Sequence, residues 1–205
     1  MIHRVLLTIG VVTCAAVPAA GQVLGLPVIN NGVVTGIKVS ADVGFSSAEY
    51  FSGGGTAIGA RVSVGVGFVG VSAAVSRFTP KNGDAVFAPG ASATWRLIGG
   101  PLVPFRITLQ GGASRWTIAG TDYVHVPLSI GLSATIPNPA FAIKPWIAPR
   151  IDILGDQANT NANFGISGGI DLAFLSGISV RAAYDRVSPG GSHQSIFSLG
   201  LGFAP

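Results

Sequence analysis

The chain has 205 residues and a net charge of +4, with hydrophobic residues at 48% but charged residues at only 10%. A soluble globular domain carries about a quarter of its residues as charges, so this composition argues against an ordinary soluble enzyme. The mean hydropathy of +0.58 argues against disorder, which requires low hydropathy. The few basic residues are scattered along the chain, which argues against a nucleic-acid partner.

The start of the chain has the features of an export signal. A short positively charged stretch precedes an apolar run that is too brief to span a membrane as a helix. Ala19 and Gly21 are small residues at the positions that signal cleavage before Gln22 requires. We therefore predict a signal peptide over 1–21 and one mature domain over 22–205.

Apolar and polar residues alternate through most of the mature chain. Between Ile37 and Phe45, for example, the apolar residues alternate with Lys38, Ser40 and Asp42. Strict alternation is typical of a strand with one apolar and one polar face. The pattern predicts ten strands, at about 35–45, 56–68, 70–78, 86–97, 104–116, 123–136, 143–153, 164–174, 178–186 and 195–203.

The lengths of the strands and connections indicate a barrel. Strands of globular proteins average five or six residues, whereas a tilted transmembrane strand needs about 9–11, which most of these reach. Polar, relatively long connections alternate with tighter Gly- or Pro-containing ones, as in outer-membrane barrels. The long ones are predicted at 46–55, 79–85, 117–122, 154–163 and 187–194. We predict an all-β fold, a single antiparallel up-and-down transmembrane β-barrel of about ten strands, with eight as the alternative.

The charged residues distinguish a membrane barrel from a soluble one. A lysine or arginine on the lipid face at mid-bilayer costs about 2–4 kcal/mol, so charges should lie on the polar side of each strand. Arg77 and Arg115 are exceptions, and both lie near longer connections. The predicted lumen-facing charges are Lys38, Asp42, Arg61, Arg96, Arg106, Lys144, Arg150, Asp152, Asp171, Arg181 and Asp185.

Aromatic residues lie near the predicted strand ends, whereas Val, Leu, Ile and Ala fill the strand middles. Two aromatic girdles that flank an aliphatic band match the two membrane–water interfaces. The predicted girdle residues are Phe45, Phe68, Phe87, Trp95, Phe105, Phe164, Phe174 and Phe203, with Phe78, Trp116, Tyr123 and Tyr184 also near strand ends.

These patterns resemble the outer-membrane β-barrel superfamily of double-membraned bacteria, which is porin-like in fold. The most specific part is the last strand, where Phe197, Leu199, Leu201 and Phe203 alternate with small residues. That strand looks like the terminal signal read by the barrel assembly machinery, although Ala204 and Pro205 follow the final aromatic residue. The resemblance implies location in the cell outer membrane and contact with lipid and lipopolysaccharide. It leaves the oligomeric state open.

No motif in the sequence points to a cofactor, a metal ion or an enzymatic reaction, and we expect none. Cys14, the single cysteine, lies within the predicted signal, so the mature chain lacks thiol chemistry. The glycines at 65, 67 and 70 match dinucleotide-loop spacing, but a strand rather than a helix follows, so we predict a turn. His125 could act in a lipid-modifying hydrolase, with Glu49 and Asp122 as the nearby loop carboxylates.

Several functions remain open. The first is a structural or passively permeable barrel, in which Arg96, Arg106, Lys144 and Arg181 would form a basic collar at the periplasmic mouth that favours anions. About eight strands are just filled by side chains, so ten give a narrow lumen at most. The alternatives are cell-surface recognition through the connections at 46–55 and 154–163, or the hydrolase.

Overall fold

The computed structural model describes residues 23–100, 103–156, 158–188 and 193–205. The predicted signal peptide lies outside these residues. No helix in the described part of the chain is long and apolar enough to cross a membrane.

The described chain folds into ten long strands and one two-residue strand. The strands are β1 (Gly36–Ser46), β2 (Gly55–Val66), β3 (Val69–Pro80), β4 (Val86–Ile98), β5 (Phe105–Ile118), β6 (Thr121–Ala134), β7 (Ile136–Pro137), β8 (Phe141–Gly155), β9 (Thr160–Phe174), β10 (Ile178–Val187) and β11 (Gln194–Phe203). A 3-10 turn at Phe51–Gly53 lies between β1 and β2.

The strands form one closed antiparallel sheet. Sequential long strands pair in order, β6 pairs with β8, and β1 pairs with β11, where Val39 lies opposite Phe203. Closure satisfies the backbone groups of every strand and leaves no open edge, which is a condition for spanning a membrane with strands. The prediction of a barrel with ten long strands is confirmed, and the eight-strand alternative is wrong.

The strands alternate between an exposed apolar face and a buried polar face. On β1, Val39 and Val43 are exposed whereas Asp42 is buried. On β6, Leu128 and Ile130 are exposed whereas Ser129 is buried. The barrel therefore has an apolar exterior and a polar lumen, the reverse of a soluble barrel.

The barrel has two distinct ends. The loop end carries the connections β1–β2, β3–β4, β5–β6, β8–β9 and β10–β11, and the turn end carries the connections β2–β3, β4–β5, β7–β8 and β9–β10. In outer-membrane barrels the longer loops face outside and the shorter turns face the periplasm, and we assign the two ends accordingly.

Two of the long connections are shorter than predicted. Residues Ala119 and Gly120, both with positive φ, close the β5–β6 hairpin in two residues where 117–122 was expected. Two positive-φ residues suit the tightest hairpin turns. Between β8 and β9 the ladder continues to the pair Gly155 and Thr160, so Thr160, Asn161 and Asn163, which were predicted as loop, belong to β9. The segment with glycines at 65, 67 and 70 forms the end of β2 and a turn at 67–68, as predicted.

The eight girdle residues are all exposed and lie in two rings. At the loop end are Phe45, Phe87 and Phe164, and at the turn end are Phe68, Trp95, Phe105, Phe174 and Phe203. Phe68 stacks on Trp95, with ring centroids 6.1 Å apart. Phe78 and Trp116 also lie near strand ends, as expected, but they point inwards and are buried, so they belong to neither ring.

A charged residue on the barrel exterior should lower the free energy of unfolding more in the middle of a strand than near its ends. Leu128, midway along β6 and 48% exposed, is predicted to face the bilayer centre. We expect Leu128→Arg to lower the free energy of unfolding in lipid vesicles by about 2–4 kcal/mol. Leu175→Arg, in a turn-end connection, should cost less than about 1 kcal/mol. Equal losses in a denaturant titration would contradict the lipid-facing assignment of β6.

Candidate functional site

The lumen contains a segment of the same chain. Residues Val23–Val34, here called the lumen segment, precede β1 and run inside the barrel from the loop end to the turn end. All residues from Val23 to Asn30 are buried. The lumen segment therefore fills much of the space that would otherwise be a water path.

An apolar cluster holds the outer half of the lumen segment. Leu24 and Leu26 pack in one cluster with the inward-pointing Phe78 and Trp116 and with Tyr50 of the first loop. The Tyr50 and Phe78 rings meet edge to face, with centroids 5.6 Å apart. Burial raises the pKa of Tyr50, so its hydroxyl stays neutral, and it accepts a 3.2 Å hydrogen bond from the Gly25 amide.

Side chains of the barrel wall satisfy backbone and amide groups of the lumen segment. The Val28 amide donates to Asp185 Oδ2 at 2.9 Å, and Gln110 Nε2 donates to the Ile29 carbonyl at 3.1 Å. Ser76 Oγ donates to the Leu24 carbonyl at 2.8 Å. Buried polar groups left without partners are costly, so these bonds fix the position of the segment.

Two asparagines bind the inner half of the segment. Asn30 Oδ1 accepts from Thr108 Oγ1 at 2.7 Å, and its Nδ2 donates to Ser129 Oγ at 2.9 Å. Asn31 Nδ2 donates to Asp171 Oδ2 at 2.8 Å. The wall residues come from β5, β6 and β9, so three strands of the barrel wall bind this half of the segment.

Glycines in the wall allow the lumen segment to approach closely. A Cβ at Gly44 would overlap the carbonyl oxygen of Gly25, and a Cβ at Gly65 would overlap that of Val34. A Cβ at Gly131 would lie 2.5 Å from the Asn30 carbonyl oxygen. Every other residue type would collide with the segment at these places, so the glycines match the wall to its occupant.

Two buried ionic networks surround the segment. Near the loop end, Arg150 Nε donates to both oxygens of Asp152, at 2.9 and 2.7 Å, and its Nη2 donates to Asp185 Oδ1 at 2.6 Å. Nearer the turn end, Arg181 Nε donates to Asp171 Oδ1 at 2.8 Å, and its Nη1 lies 3.5 Å from Asp42 Oδ1. Both networks connect to the segment, through Asp185 and Asp171 respectively.

The other predicted lumen charges lie near the turn end. Lys38, Arg106 and Lys144 line an open cavity of about 330 Å³ together with residues of the lumen segment, here called the turn-end cavity. Arg61 lines a smaller adjoining cavity. Arg96 turns to the β2–β3 connection, where its Nη2 donates to the Gly67 carbonyl at 2.9 Å.

The predicted basic collar needs correction. Arg181 is buried and paired with two carboxylates, so it is not a free base at the mouth. Asp171, which binds Arg181, also lies directly across from Lys144 in the β8–β9 register. The sequence does not show the strand register, which brings Asp171 of β9 next to Arg181 of β10 and Lys144 of β8.

His125 has a different partner from the ones expected. Its Nε2 lies 2.7 Å from Asp152 Oδ1, whereas Asp122 accepts hydrogen bonds from Arg115 and Thr117. Ser114 lies across from His125 in the β5–β6 register, but its hydroxyl is buried and makes no hydrogen bond within the described residues. His125 therefore joins the Arg150 network and touches no activated serine there.

Sequence reasoning missed the lumen segment. Its one available signal is its composition, because residues 23–34 are uncharged and largely apolar yet do not alternate. A stretch like this is poorly suited to lie exposed in water between a signal peptide and the first strand.

At the loop end, a cavity of about 140 Å³ lies above the lumen segment. Its lining is mainly apolar and includes Leu24, Tyr50, Phe51 and Trp116, with Asp152 among its polar groups.

A scan of protein-family models and a search of curated proteins found no match to this chain. Among solved structures, the β domain of the Bordetella autotransporter BrkA has a TM-score of 0.56 and 11% identity, covering 83% of this chain and 99% of that one. The outer membrane enzyme PagL has a TM-score of 0.43 and 15% identity, covering 82% of this chain and 99% of its own. The KdgM porin also has a TM-score of 0.43, with 11% identity, covering 81% and 99%.

The likeness to the BrkA domain shows the fold, which is that of outer-membrane β-barrels. The apolar exterior, the polar lumen and the aromatic rings independently require a lipid environment. The chain is therefore a β-barrel protein of the bacterial outer membrane.

Proposed function

We propose that this protein is a non-enzymatic structural barrel that its own lumen segment keeps closed to solutes. The observation that carries this proposal is the burial of Val23–Asn30 inside the barrel, with hydrogen bonds to the wall. The wall glycines leave room for the segment that any side chain would fill, and this supports a lumen that is permanently occupied. Contact with lipid and lipopolysaccharide, and insertion by the assembly machinery through β11, are part of the same proposal.

Small-solute permeability is the second candidate. The bases of the turn-end cavity favour it, because an excess of positive charge at a mouth attracts anions. Passage would require the lumen segment to leave its place.

Planar-bilayer recording separates the two candidates. We expect the mature wild-type protein to show no steady conductance, and a variant that lacks residues 23–34 to form open channels with a preference for anions. A synthetic peptide of residues 23–34 should close the channels of this variant when it is added from the periplasmic side. Loss of the segment should also leave barrel formation intact, as judged by heat-modifiable migration.

A variant that lacks residues 82–84 is the matched control, because it shortens a surface loop and leaves the lumen segment in place. This variant should stay closed like the wild type. Steady anion conductance of the wild-type protein would overturn the closed-barrel proposal in favour of permeability. Continued closure of the variant without 23–34 would show that the segment is not what closes the lumen.

A further inference from the structure

The turn-end half of the lumen has more positive than negative charge. Among the described residues, its carboxylates are Asp42 and Asp171, and both already contact Arg181. The bases that line its two cavities are Lys38, Arg61, Arg106, Lys144 and Arg181. Burying charges without partners costs free energy, so an anion from outside the chain would stabilise this excess of positive charge.

Three of these bases converge on the turn-end cavity from different strands. Lys38 lies on β1, Arg106 on β5 and Lys144 on β8, and within the described residues none of them forms an ion pair. Within the described residues, the Nε of Arg106 is buried without a hydrogen-bond partner. Buried polar groups are almost always bonded, so an anion beside Arg106 would give this donor a partner.

The rest of the cavity wall includes neutral donors and one carboxylate. Asn31 and Gly32 of the lumen segment and Ser179 of β10 line it beside the three bases, and so does Asp171, which already contacts Arg181 and Asn31. A volume of about 330 Å³ accommodates a hydrated oxyanion, because a water molecule takes about 30 Å³. The cavity is open at the turn end, so a ligand can enter without crossing the barrel.

We propose that the turn-end cavity is a binding site for a phosphate group, held by Lys38, Arg106 and Lys144. A phosphate monoester carries about −1.5 to −2 charges at neutral pH, which matches three bases whose nearest carboxylate is already engaged. An arginine fork and lysine point charges are the side chains that bind phosphate best. The group can belong to a free solute or to a lipid headgroup, because the turn end lies at the membrane surface.

This site does not depend on the closed-barrel proposal. Binding requires only the cavity at the turn end, and it can be measured in neutral detergent without a membrane. A conducting wild-type protein would end the closed-barrel proposal and could cost this site Asn31 and Gly32, but Lys38, Arg106 and Lys144 belong to the barrel wall, so phosphate binding can still be tested separately.

The first test uses inorganic phosphate and the folded mature protein. We expect phosphate to raise the midpoint of thermal unfolding relative to chloride at equal ionic strength, and to show saturable binding by calorimetric titration. Lys144→Gln and Lys38→Gln should each weaken binding at least tenfold, and the double variant should abolish it. Lys81→Gln removes an exposed lysine from the connection at the opposite end and should bind like the wild type.

The second test identifies the source of the phosphate group. Phosphatidylcholine vesicles with and without phosphatidic acid are compared, using the same unfolding measurement with and without inorganic phosphate. Stabilisation by phosphatidic acid that the lysine variants lose would assign the site to a lipid headgroup. Stabilisation by inorganic phosphate alone would assign it to a free solute.

Two results would overturn the proposal. One is a wild-type protein that responds to neither inorganic phosphate nor phosphatidic acid, a result that does not depend on how the variants fold. The other is equal binding by the wild type and by a folded Lys38→Gln, Lys144→Gln double variant, because phosphate would then bind elsewhere.

Discussion

Replacement of Arg150 by methionine is expected to lower the free energy of unfolding by about 3–5 kcal/mol, because it leaves buried carboxylates without their cation. The Arg150 side chain is 0% exposed and contacts both Asp152 and Asp185. Asp152 keeps His125 as a partner, but among the described residues Asp185 keeps only the Val28 amide. Denaturant unfolding in lipid vesicles measures the loss.

The exposed ion pair of Arg115 and Asp122 is the matched control. Its N–O distance of 2.8 Å is similar, but the Arg115 side chain is 53% exposed. Exposed ion pairs contribute about 0–1 kcal/mol, so Arg115→Met should have a small effect. Equal losses in the two variants would mean that the Arg150 network does not stabilise the barrel.

The Arg150 variant should also loosen the lumen segment. Asp185 holds the Val28 amide with one oxygen and Arg150 with the other, so loss of the arginine frees the carboxylate to move. Faster hydrogen exchange at the Val28 amide is the expected result. Unchanged exchange there would separate the stability of the wall from the position of the segment.

The strands and their faces could be predicted because the residues of each strand alternate between two faces with different surroundings. Alternation depends only on the sequence within one strand, and the two faces meet solvents of opposite polarity. The bounds of the strands were less accurate at the loop end. Residues such as Asn161 and Asn163 look like loop residues, yet they continue the β8–β9 ladder where it leaves the membrane.

The contacts inside the lumen could not be predicted, because they depend on register. His125 and Asp152 meet across the β6–β8 pair, and Arg181 and Asp171 meet across the β9–β10 pair. No local pattern specifies these pairings, since a shift of the register would change every partner. The sequence therefore indicated which charges face inwards but not which of them remain unpaired.

The lumen segment escaped prediction for a related reason. From Val23 to Asn30 it is buried within the barrel, so no face of that stretch meets water and no period appears in its sequence. The inward direction of Phe78 and Trp116 escaped prediction for the same cause, because a position near a strand end fits both a lipid interface and contact with an occupant of the lumen.

Phe78→Ala is expected to lower the free energy of unfolding by about 3–5 kcal/mol, as for other fully buried phenylalanines. The Phe78 side chain is 0% exposed, and its ring lies so close to Gly25 that a Cβ on that glycine would stand 2.6 Å from Phe78 Cδ2. Much of its packing therefore involves the lumen segment. We expect Phe78→Ala to cost less in a protein that lacks residues 23–34. The difference between the two losses, which is the coupling free energy, should be at least about 1 kcal/mol.

Phe87, on the opposite face of the neighbouring strand, provides the control for this cycle. Its side chain is 64% exposed on the exterior, so Phe87→Ala should have the same effect with or without residues 23–34. Coupling for Phe78 but not for Phe87 would show that the segment packs in the lumen in the membrane. Equal losses for Phe78 in both backgrounds would mean that the segment lies elsewhere, and closure of the barrel would then need another cause.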